Sequence, residues 1–152
     1  MSKVKTYAIS ILIPVLVGGI VGFLISDFID YGSLEKPLLA PPSIVFPIVW
    51  TILYVLMGIS YGRLVDKELT DSQVDWIYYG QLIVNAFWSI FFFVLKWRFF
   101  SFLWIVLLAA LVLLMIVTFY RKDKIAGLLQ IPYLLWTLFA TYLTLSIYLL
   151  NT

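Results

Sequence analysis

The chain has 152 residues, of which 64% are apolar and 12% charged, and its formal net charge is +2. Soluble domains carry roughly one-quarter charged residues, so this composition predicts an integral membrane protein without a separate soluble domain. The chain has no Cys and no His, which excludes thiol catalysis, disulfides and the usual zinc sites and removes the usual general base. We therefore expect no metal, no conventional acid–base catalysis and no nucleic-acid partner.

Five apolar stretches account for most of the chain, and none of them contains a charged residue. Each is close to the roughly 20 helical residues that cross a hydrocarbon core. The predicted spans are 7–25, 43–62, 76–95, 99–120 and 125–150. No segment alternates as a transmembrane strand does. Residues 1–152 are thus predicted to form one all-α domain, a bundle of five transmembrane helices embedded in the lipid bilayer.

The first span contains the sequence GGIVG from Gly18 to Gly22, a small-xxx-small pattern that indicates close helix packing or dimerisation. The following loop, 26–42, is charged and rich in proline, and it is longer than the usual two to eight residues between bundle helices. This length predicts a lid over a site. The fourth span is almost entirely Leu, Val, Ile and Ala, which favours a helix that faces lipid.

Three of the spans carry aromatic and polar residues at helical spacing. The residues are Trp50, Tyr54, Met57 and Tyr61 on the second span, Gln81, Asn85, Trp88 and Phe92 on the third, and Tyr133, Trp136, Thr137, Ala140 and Thr144 on the fifth. If the helices alternate in direction, Trp50, Trp88, Asn85, Ala140 and Trp136 lie roughly 10 to 21 Å below the lid side. Aromatic walls, a gap at a small residue and a few hydrogen-bonding groups are typical of a pocket for a planar apolar ligand.

A purely structural interpretation of these residues stays open. Aromatic residues in the middle of a span often only pack against each other, and Asn85 has equal reason to form an ordinary interhelical hydrogen bond. A charged side chain in mid-bilayer costs roughly 3 kcal/mol and usually marks an ion path or proton relay. Because no span contains one, the sequence argues against ion-coupled transport.

The distribution of basic residues predicts the orientation. Seven Lys and Arg lie at the N-terminus and in the second and fourth loops, whereas three lie on the lid side. The positive-inside rule then places the N-terminus in the cytoplasm and the C-terminus outside, if the chain lies in a plasma membrane.

Three segments resemble one family of membrane proteins. They are KPLLAPPSIVFPIVWTILY (36–54), NAFWSIFFF (85–93) and PYLLWTLFATYLTLSIYLLN (132–151). In this order, and in a chain of this length, they are similar to the TspO/translocator-protein family, formerly called peripheral benzodiazepine receptors. The resemblance is to a bacterial member, and it implies a homodimer in the bacterial cell membrane. It also implies that the protein binds tetrapyrroles such as protoporphyrin IX, and synthetic benzodiazepine-site ligands, in a pocket under the first loop.

The resemblance also implies which residues form the site. The ligand-binding residues are Tyr31, Pro41, Pro42, Trp50, Asn85, Trp88, Trp136 and Ala140. Trp50 and Trp136 are the expected catalytic residues of a light-dependent oxidative degradation of the porphyrin, which requires oxygen and no resident cofactor. An indole beside a photoexcited macrocycle can donate an electron, so this chemistry needs neither His, Cys nor metal.

Lys36, Lys96 and Arg98 are the only cations on the lid side. Porphyrin propionates are anionic, so these three residues are candidates for the polar edge of the ligand, although basic side chains near span ends often only reach for the interface. Two other functions stay open, a transporter of porphyrins or similar apolar ligands and a non-catalytic membrane scaffold.

Overall fold

The structure is a computed structural model that describes residues 2–152. Within that range it is all-helical, and it contains five segments that are long and apolar enough to cross a membrane. The helices are α1 (Lys3–Ile25), α2 (Val45–Asp66), α3 (Ser72–Ser89), α4 (Arg98–Lys122), α5 (Lys124–Leu128) and α6 (Ile131–Leu150). Helices α5 and α6 together form the fifth span. The predicted class, an all-α bundle of five transmembrane helices, is confirmed.

The helices at the N-terminal end of the bundle are longer than the predicted spans. Helix α1 begins at Lys3 and α3 begins at Ser72, four residues before the predicted starts. Each start is capped: Ser2 accepts a hydrogen bond from the Lys5 N–H at 3.2 Å, and Asp71 accepts one from the Val74 N–H at 2.9 Å. A span predicted from apolar residues stops at the first charge, whereas the helix continues to a residue that can satisfy its free N–H groups.

Two irregularities interrupt the helices. After Ser89, α3 continues as one π-helical segment, Ile90–Val94, before the turn that leads into α4. The fifth span is broken at Leu129 and Gln130, directly before Ile131 and Pro132, because proline fits the first turn of a new helix and not the interior of a continuous one.

Helix α1 packs against α2 through glycines, but the pattern differs from the predicted one. A methyl group on Gly58 would collide with the backbone of Ile11, so the two helix backbones touch there. Gly18 faces the ring of Tyr54 at similarly close range. Gly22 has open space where a side chain would stand. The prediction that Gly18 and Gly22 form one packing face is therefore wrong within the monomer.

Helix α4 does not face lipid alone. One of its faces packs against α3 and α6, and there Ile105, Val112, Met115 and Phe119 are fully buried. The opposite face, which includes Leu103 and other large apolar residues, is exposed. The prediction was wrong for one face because a helix that is apolar all round gives no pattern from which to tell its sides apart.

Ion pairs hold each end of the bundle. At one end, Asp123 accepts hydrogen bonds from Arg63 and Lys67, and Asp71 accepts one from Lys122 at 2.6 Å. These bonds join the second and fourth loops. At the other end the lid loop meets the α3–α4 turn through the ion pair Arg98–Asp30. It meets the C-terminus through a hydrogen bond from the Asn151 amide to the Glu35 carbonyl oxygen. The loops are thus grouped as alternating helices require.

Candidate functional site

A cavity of about 400 Å³ lies in the lid-side half of the bundle. Four helices and the lid form its walls. Its lining includes Gly18, Gly19 and Gly22 from α1, Phe46, Trp50 and Tyr54 from α2, Trp88 from α3, Phe92 and Phe93 from the π-helical segment, Ala140 and Thr144 from α6, and Ile29 and Tyr31 from the lid. This size lies within the roughly 300 to 1,000 Å³ of small-molecule sites.

Trp50 is at the centre of an aromatic cluster on one wall of this cavity. Its ring stacks on Tyr54 with centroids 5.7 Å apart, and it meets the edges of Tyr133 and Trp136, each at 6.3 Å. Phe46 packs edge-on against Trp136 at 5.7 Å. Packing of this kind fixes the indole of Trp50 beside the cavity and leaves it little freedom to rotate.

Trp88 and Ala140 also line the cavity. Trp88 stacks on Phe92 at 5.1 Å, and its ring N–H is buried with no hydrogen-bond partner among residues 2–152. Such a donor is costly to leave unpaired. The small side chain of Ala140 keeps the space beside it open. Together they provide a flat ring and a gap.

The lid closes the cavity through Tyr31. Its ring is buried, meets Phe46 edge-on at 5.0 Å, and its hydroxyl donates to the carbonyl oxygen of Pro41 at 2.7 Å. Burial raises the pKa of the Tyr31 phenol above its ordinary value, so the group is neutral. Pro41 and Pro42 do not line the cavity; Pro41 instead holds Tyr31 in place.

A layer of hydrogen-bonded side chains closes the bundle below the cavity. The Tyr54 hydroxyl donates to the Asn85 amide oxygen, the Asn85 amide donates to the Tyr133 hydroxyl, and that hydroxyl donates to the Gln81 amide oxygen, each at 2.7 Å. Asn85 is 4% exposed and Gln81 is fully buried. The layer joins α2, α3 and α6 and satisfies polar groups that would be unstable alone in an apolar interior.

Apart from Pro41 and Pro42, the predicted ligand-binding residues fall into two groups. Tyr31, Trp50, Trp88 and Ala140 line the cavity. Asn85 lies in the polar layer beneath the cavity, where its amide oxygen and its amide nitrogen each have a partner. Trp136 lies behind Trp50. Asn85 thus makes ordinary interhelical hydrogen bonds, which was the alternative to a ligand-binding role in the sequence.

The three lid-side cations are engaged with the protein itself. Arg98 makes two hydrogen bonds to the carboxylate of Asp30, at 2.9 and 2.7 Å, and Lys96 lies 3.8 Å from the same carboxylate. The Lys36 ammonium donates to the backbone carbonyls of Tyr31 and Leu34 at 3.0 and 2.9 Å. In this conformation Lys36 and Arg98 stabilise the lid, and their role toward a ligand stays a prediction.

Helix α1 contributes to the cavity wall, which the sequence did not predict. Gly19 and Gly22 line the cavity with nothing in the space of a side chain, so α1 forms a wall made of backbone. The glycines were interpreted as a packing motif, and no side-chain chemistry distinguishes the two roles. Phe46 and Phe93 were also missed, although they lie within the segments 36–54 and 85–93 that carry the family resemblance.

The chain resembles proteins of known name over most of its length. A family model described as the TspO/MBR family matches residues 10–150. The "Tryptophan-rich protein TspO" of Archaeoglobus fulgidus is 42% identical over 122 residues, which cover 80% of this chain and 79% of the relative. The "Protein CrtK" of Rhodobacter capsulatus is 34% identical over 88% of this chain and 85% of its own length.

A more distant relative comes from an animal. The "Translocator protein" of Sus scrofa is 30% identical over 124 residues, which cover 78% of this chain and 72% of the relative. The family match covers the lid, the aromatic cavity and all five spans except the first residues of α1. The chain belongs to the TspO/MBR family.

Proposed function

We propose that this protein binds tetrapyrroles such as protoporphyrin IX in the cavity under the lid and promotes their light-dependent oxidative degradation. Trp50 is the electron donor next to the ligand, and Trp136 supports it from behind. The photoexcited porphyrin takes an electron from Trp50 and passes it to dioxygen, and the superoxide formed there is the oxidant that attacks the macrocycle. The same cavity accepts synthetic benzodiazepine-site ligands, and the protein acts as a homodimer in the cell membrane.

The observation that carries this proposal is the position of Trp50. Its ring borders the cavity and is fixed by Tyr54, Tyr133 and Trp136, and the flat ring of Trp88 lines the same cavity. A planar macrocycle between two aromatic walls stacks favourably, because ring pairs add about 0.5–1.5 kcal/mol to the burial of their area.

Transport through the bundle fits the structure less well. The layer formed by Tyr54, Asn85, Tyr133 and Gln81 lies between the cavity and the opposite membrane face, and its members are bonded to one another across three helices. A ligand that crosses the protein would have to break this layer. Alternating access usually depends on a site at the repeat interface with openings to both sides.

The test of the proposed function is a titration of protoporphyrin IX into detergent-solubilised protein, in the dark and under illumination. Tryptophan quenching measures binding, and loss of the porphyrin Soret band measures degradation. We expect saturable binding, and a Soret loss that needs light and oxygen and falls strongly in Trp50→Phe. The matched control is Trp76→Phe, because Trp76 is 80% exposed on the outer surface of α3 and far from the cavity.

A second pair of variants tests the cavity itself. Ala140→Phe fills the space beside Trp88, so we expect binding to be lost, whereas Ala110→Phe places the same ring on the exposed face of α4 and leaves binding intact. Binding without Soret loss would leave a carrier or sensor. Binding that survives Ala140→Phe would contradict the assignment of this cavity.

A further inference from the structure

Tyrosine rings continue from the cavity toward the end of the bundle that carries the N-terminus. Tyr54 and Tyr61 lie two turns apart on one face of α2, about 10 Å along the helix axis. Tyr78 lies two turns before Asn85 on the facing side of α3. With Tyr133 of α6, these residues form a column of phenol rings that passes through the polar layer.

The upper part of the column touches the proposed electron donor. Trp50 stacks on Tyr54 and meets the edge of Tyr133. The Tyr133 hydroxyl donates to Gln81, whose amide donates to the backbone carbonyl of Tyr78 at 2.8 Å. Aromatic contacts and a short hydrogen-bonded bridge thus connect Trp50 to Tyr78.

The lower part of the column ends at a carboxylate. The ring of Tyr78 stacks on Tyr61 with centroids 4.2 Å apart and planes within 6° of parallel. The Tyr61 hydroxyl donates to the Asp75 carboxylate at 2.5 Å. Asp75 lies in the first turn of α3 and is partly exposed, so a proton that it accepts can pass on to water.

The four phenols differ in what receives their proton. A tyrosine that loses an electron becomes strongly acidic, and it forms a stable radical only where a base takes the phenol proton. Tyr54 and Tyr133 donate to amide oxygens, which are poor bases, and the buried Tyr78 hydroxyl has no partner in the described chain. Tyr61 is the member of the column that donates to a carboxylate.

We infer that this column is a path for electrons from Tyr61 to the oxidised Trp50, and that Tyr61 with Asp75 is its proton-coupled end. The inference rests on the proposed function for its oxidant, the photoexcited porphyrin. Its consequence is that the oxidising equivalent leaves the cavity before it damages Trp50, and comes to rest near the opposite membrane face.

The steps balance as follows. The photoexcited porphyrin takes one electron from Trp50 and becomes a radical anion, which passes that electron to dioxygen and forms superoxide. Trp50 regains its electron through Tyr133 and Tyr78 from Tyr61. The Tyr61 O–H bond breaks, and its proton goes to Asp75. The net products are a neutral Tyr61 radical, a protonated Asp75 and superoxide.

The test is electron paramagnetic resonance of frozen samples after illumination with protoporphyrin IX, with ring-deuterated tyrosine to identify a tyrosyl signal. We expect a tyrosyl radical in the wild type that is lost in Tyr61→Phe and in Trp50→Phe. Tyr79→Phe is the matched control, because Tyr79 packs edge-on against the same two rings and does not donate to Asp75. Tyr61→Phe keeps the ring that stacks on Tyr78.

The role of Asp75 is tested separately from folding. Asp75→Asn removes the base while Tyr61 remains, so the tyrosyl signal is expected to fall, and Asp75→Glu is expected to restore it. Mass spectrometry gives a second readout, since oxidation products of Trp50 are expected to accumulate faster in Tyr61→Phe than in Tyr79→Phe. If the Tyr61–Asp75 bond were merely structural, these substitutions would change neither the tyrosyl signal nor the oxidation of Trp50.

A second way of oxidising Trp50 separates this inference from the proposed function. An ultraviolet flash photoionises indoles without any porphyrin, and a cobalt(III) ammine complex in the buffer takes up the ejected electron and is reduced to cobalt(II). A tyrosyl signal that depends on both Tyr61 and Trp50 after the flash would support the path even if porphyrin is not degraded. Porphyrin loss together with a tyrosyl signal that is unchanged in Tyr61→Phe would overturn the path and leave the proposed function standing.

Discussion

Asn85 joins three helices with one side chain. Its amide oxygen accepts from Tyr54 of α2 and its amide nitrogen donates to Tyr133 of α6, each at 2.7 Å. In a bilayer there is no water in the interior to replace these bonds. The residue therefore fixes the rotation of α2 and α6 about α3, and with it the position of Trp50 beside the cavity.

Replacing Asn85 should weaken the fold measurably. Interhelical hydrogen bonds in membranes contribute about 0.6 kcal/mol each on average, and the Tyr54 hydroxyl left without an acceptor adds to the loss, so Asn85→Ala is expected to cost about 1–3 kcal/mol. Tyr54→Phe removes one of the two bonds and is expected to cost about 0.6 kcal/mol. Thermal unfolding in detergent, followed by circular dichroism, measures both.

The control for this prediction is Thr141→Ala. The Thr141 hydroxyl donates to the carbonyl of Thr137 in its own helix at 2.8 Å, so its removal breaks no bond between helices. Equal stability of Asn85→Ala and Thr141→Ala would show that the polar layer does not hold the bundle together.

The sequence allowed the presence of this layer to be predicted only in part. Helical spacing placed Gln81, Asn85 and Trp88 on one face of the third span, and the structure buries all three. The partners of Asn85 were not predictable, because they depend on how far α2 and α6 are rotated about their axes. No pattern within a single helix contains that information.

At the scale of elements, the lid is fastened at two points. Asp30 receives two hydrogen bonds from Arg98 at the start of α4, and the side chain of Asn151 at the end of α6 bonds the backbone of Glu35 at 3.1 and 2.9 Å. The Arg98 guanidinium also lies over the ring of Phe92, 5.0 Å from its centroid. Since Phe92 lines the cavity, Arg98 connects the lid directly to the cavity wall.

Breaking the Asp30–Arg98 pair should loosen the lid. A partly exposed pair of this kind contributes about 1 kcal/mol, so Asp30→Asn and Arg98→Ala are each expected to increase lid opening roughly fivefold. Hydrogen exchange of residues 29–42 measures the opening, and stopped-flow mixing measures porphyrin release. Lys96→Ala is the control, because its ammonium lies 3.8 Å from Asp30 and is more exposed.

The same two variants decide whether Arg98 binds the ligand. If the pair acts only as a fastening, Asp30→Asn and Arg98→Ala change porphyrin affinity in the same direction. If Arg98 holds a propionate, Asp30→Asn frees the guanidinium and raises the affinity for a dicarboxylate porphyrin over its diester, whereas Arg98→Ala lowers it. Opposite signs would therefore restore the ligand role predicted for this residue.

The elements themselves were predictable to different degrees. The length and proline content of 26–42 predicted a lid, and the structure has Tyr31 of that loop over the cavity. The π-helical segment Ile90–Val94 was not predictable, because its residues are as apolar as those of the regular helix before it. The wall formed by Gly19 and Gly22 was missed because a residue without a side chain leaves no chemical pattern.

At the scale of the whole molecule, charged residues stabilise the end of the bundle opposite the lid. Burial raises the pKa of the Asp123 carboxyl, but hydrogen bonds from Arg63, Lys67 and the Ala126 N–H lower it more, so the pKa lies below its ordinary value. A carboxyl of this kind stabilises the fold above its unfolded pKa, which is about 4. That stability is lost as the pH falls through the lower pKa of the folded state.

Asp123→Asn should therefore destabilise the protein at neutral pH, and the difference from the wild type should vanish in strong acid. The asparagine oxygen still accepts from the Ala126 N–H, so the cap of α5 is kept and only the charge is removed. Melting temperatures across an acid titration measure the effect. Asp66→Asn, at the exposed end of α2, is the control and should follow the wild-type curve; a parallel loss in both variants would mean that the Asp123 pairs add nothing specific.

The predicted orientation of the molecule rests on the distribution of cations and not on net charge. The end with the N-terminus has seven Lys and Arg against three, but it also has five of the eight carboxylates, so the net charges of the two ends differ by only two. Acidic residues contribute little to topology, whereas Lys and Arg near the spans set it. The pairs at Asp123 and Asp71 therefore do not weaken the prediction that this end is cytoplasmic.

The chain contains no cysteine, so single cysteines can report the orientation directly. Ser33 lies in the lid and Ser72 at the start of α3, and both are exposed at opposite ends of the bundle. In intact bacterial cells a membrane-impermeant maleimide is expected to label Ser33→Cys at once and Ser72→Cys only after permeabilisation. The reverse pattern would place the lid in the cytoplasm. Labelling of both variants in intact cells would mean that the net charge, nearly balanced between the ends, governs insertion and yields both orientations.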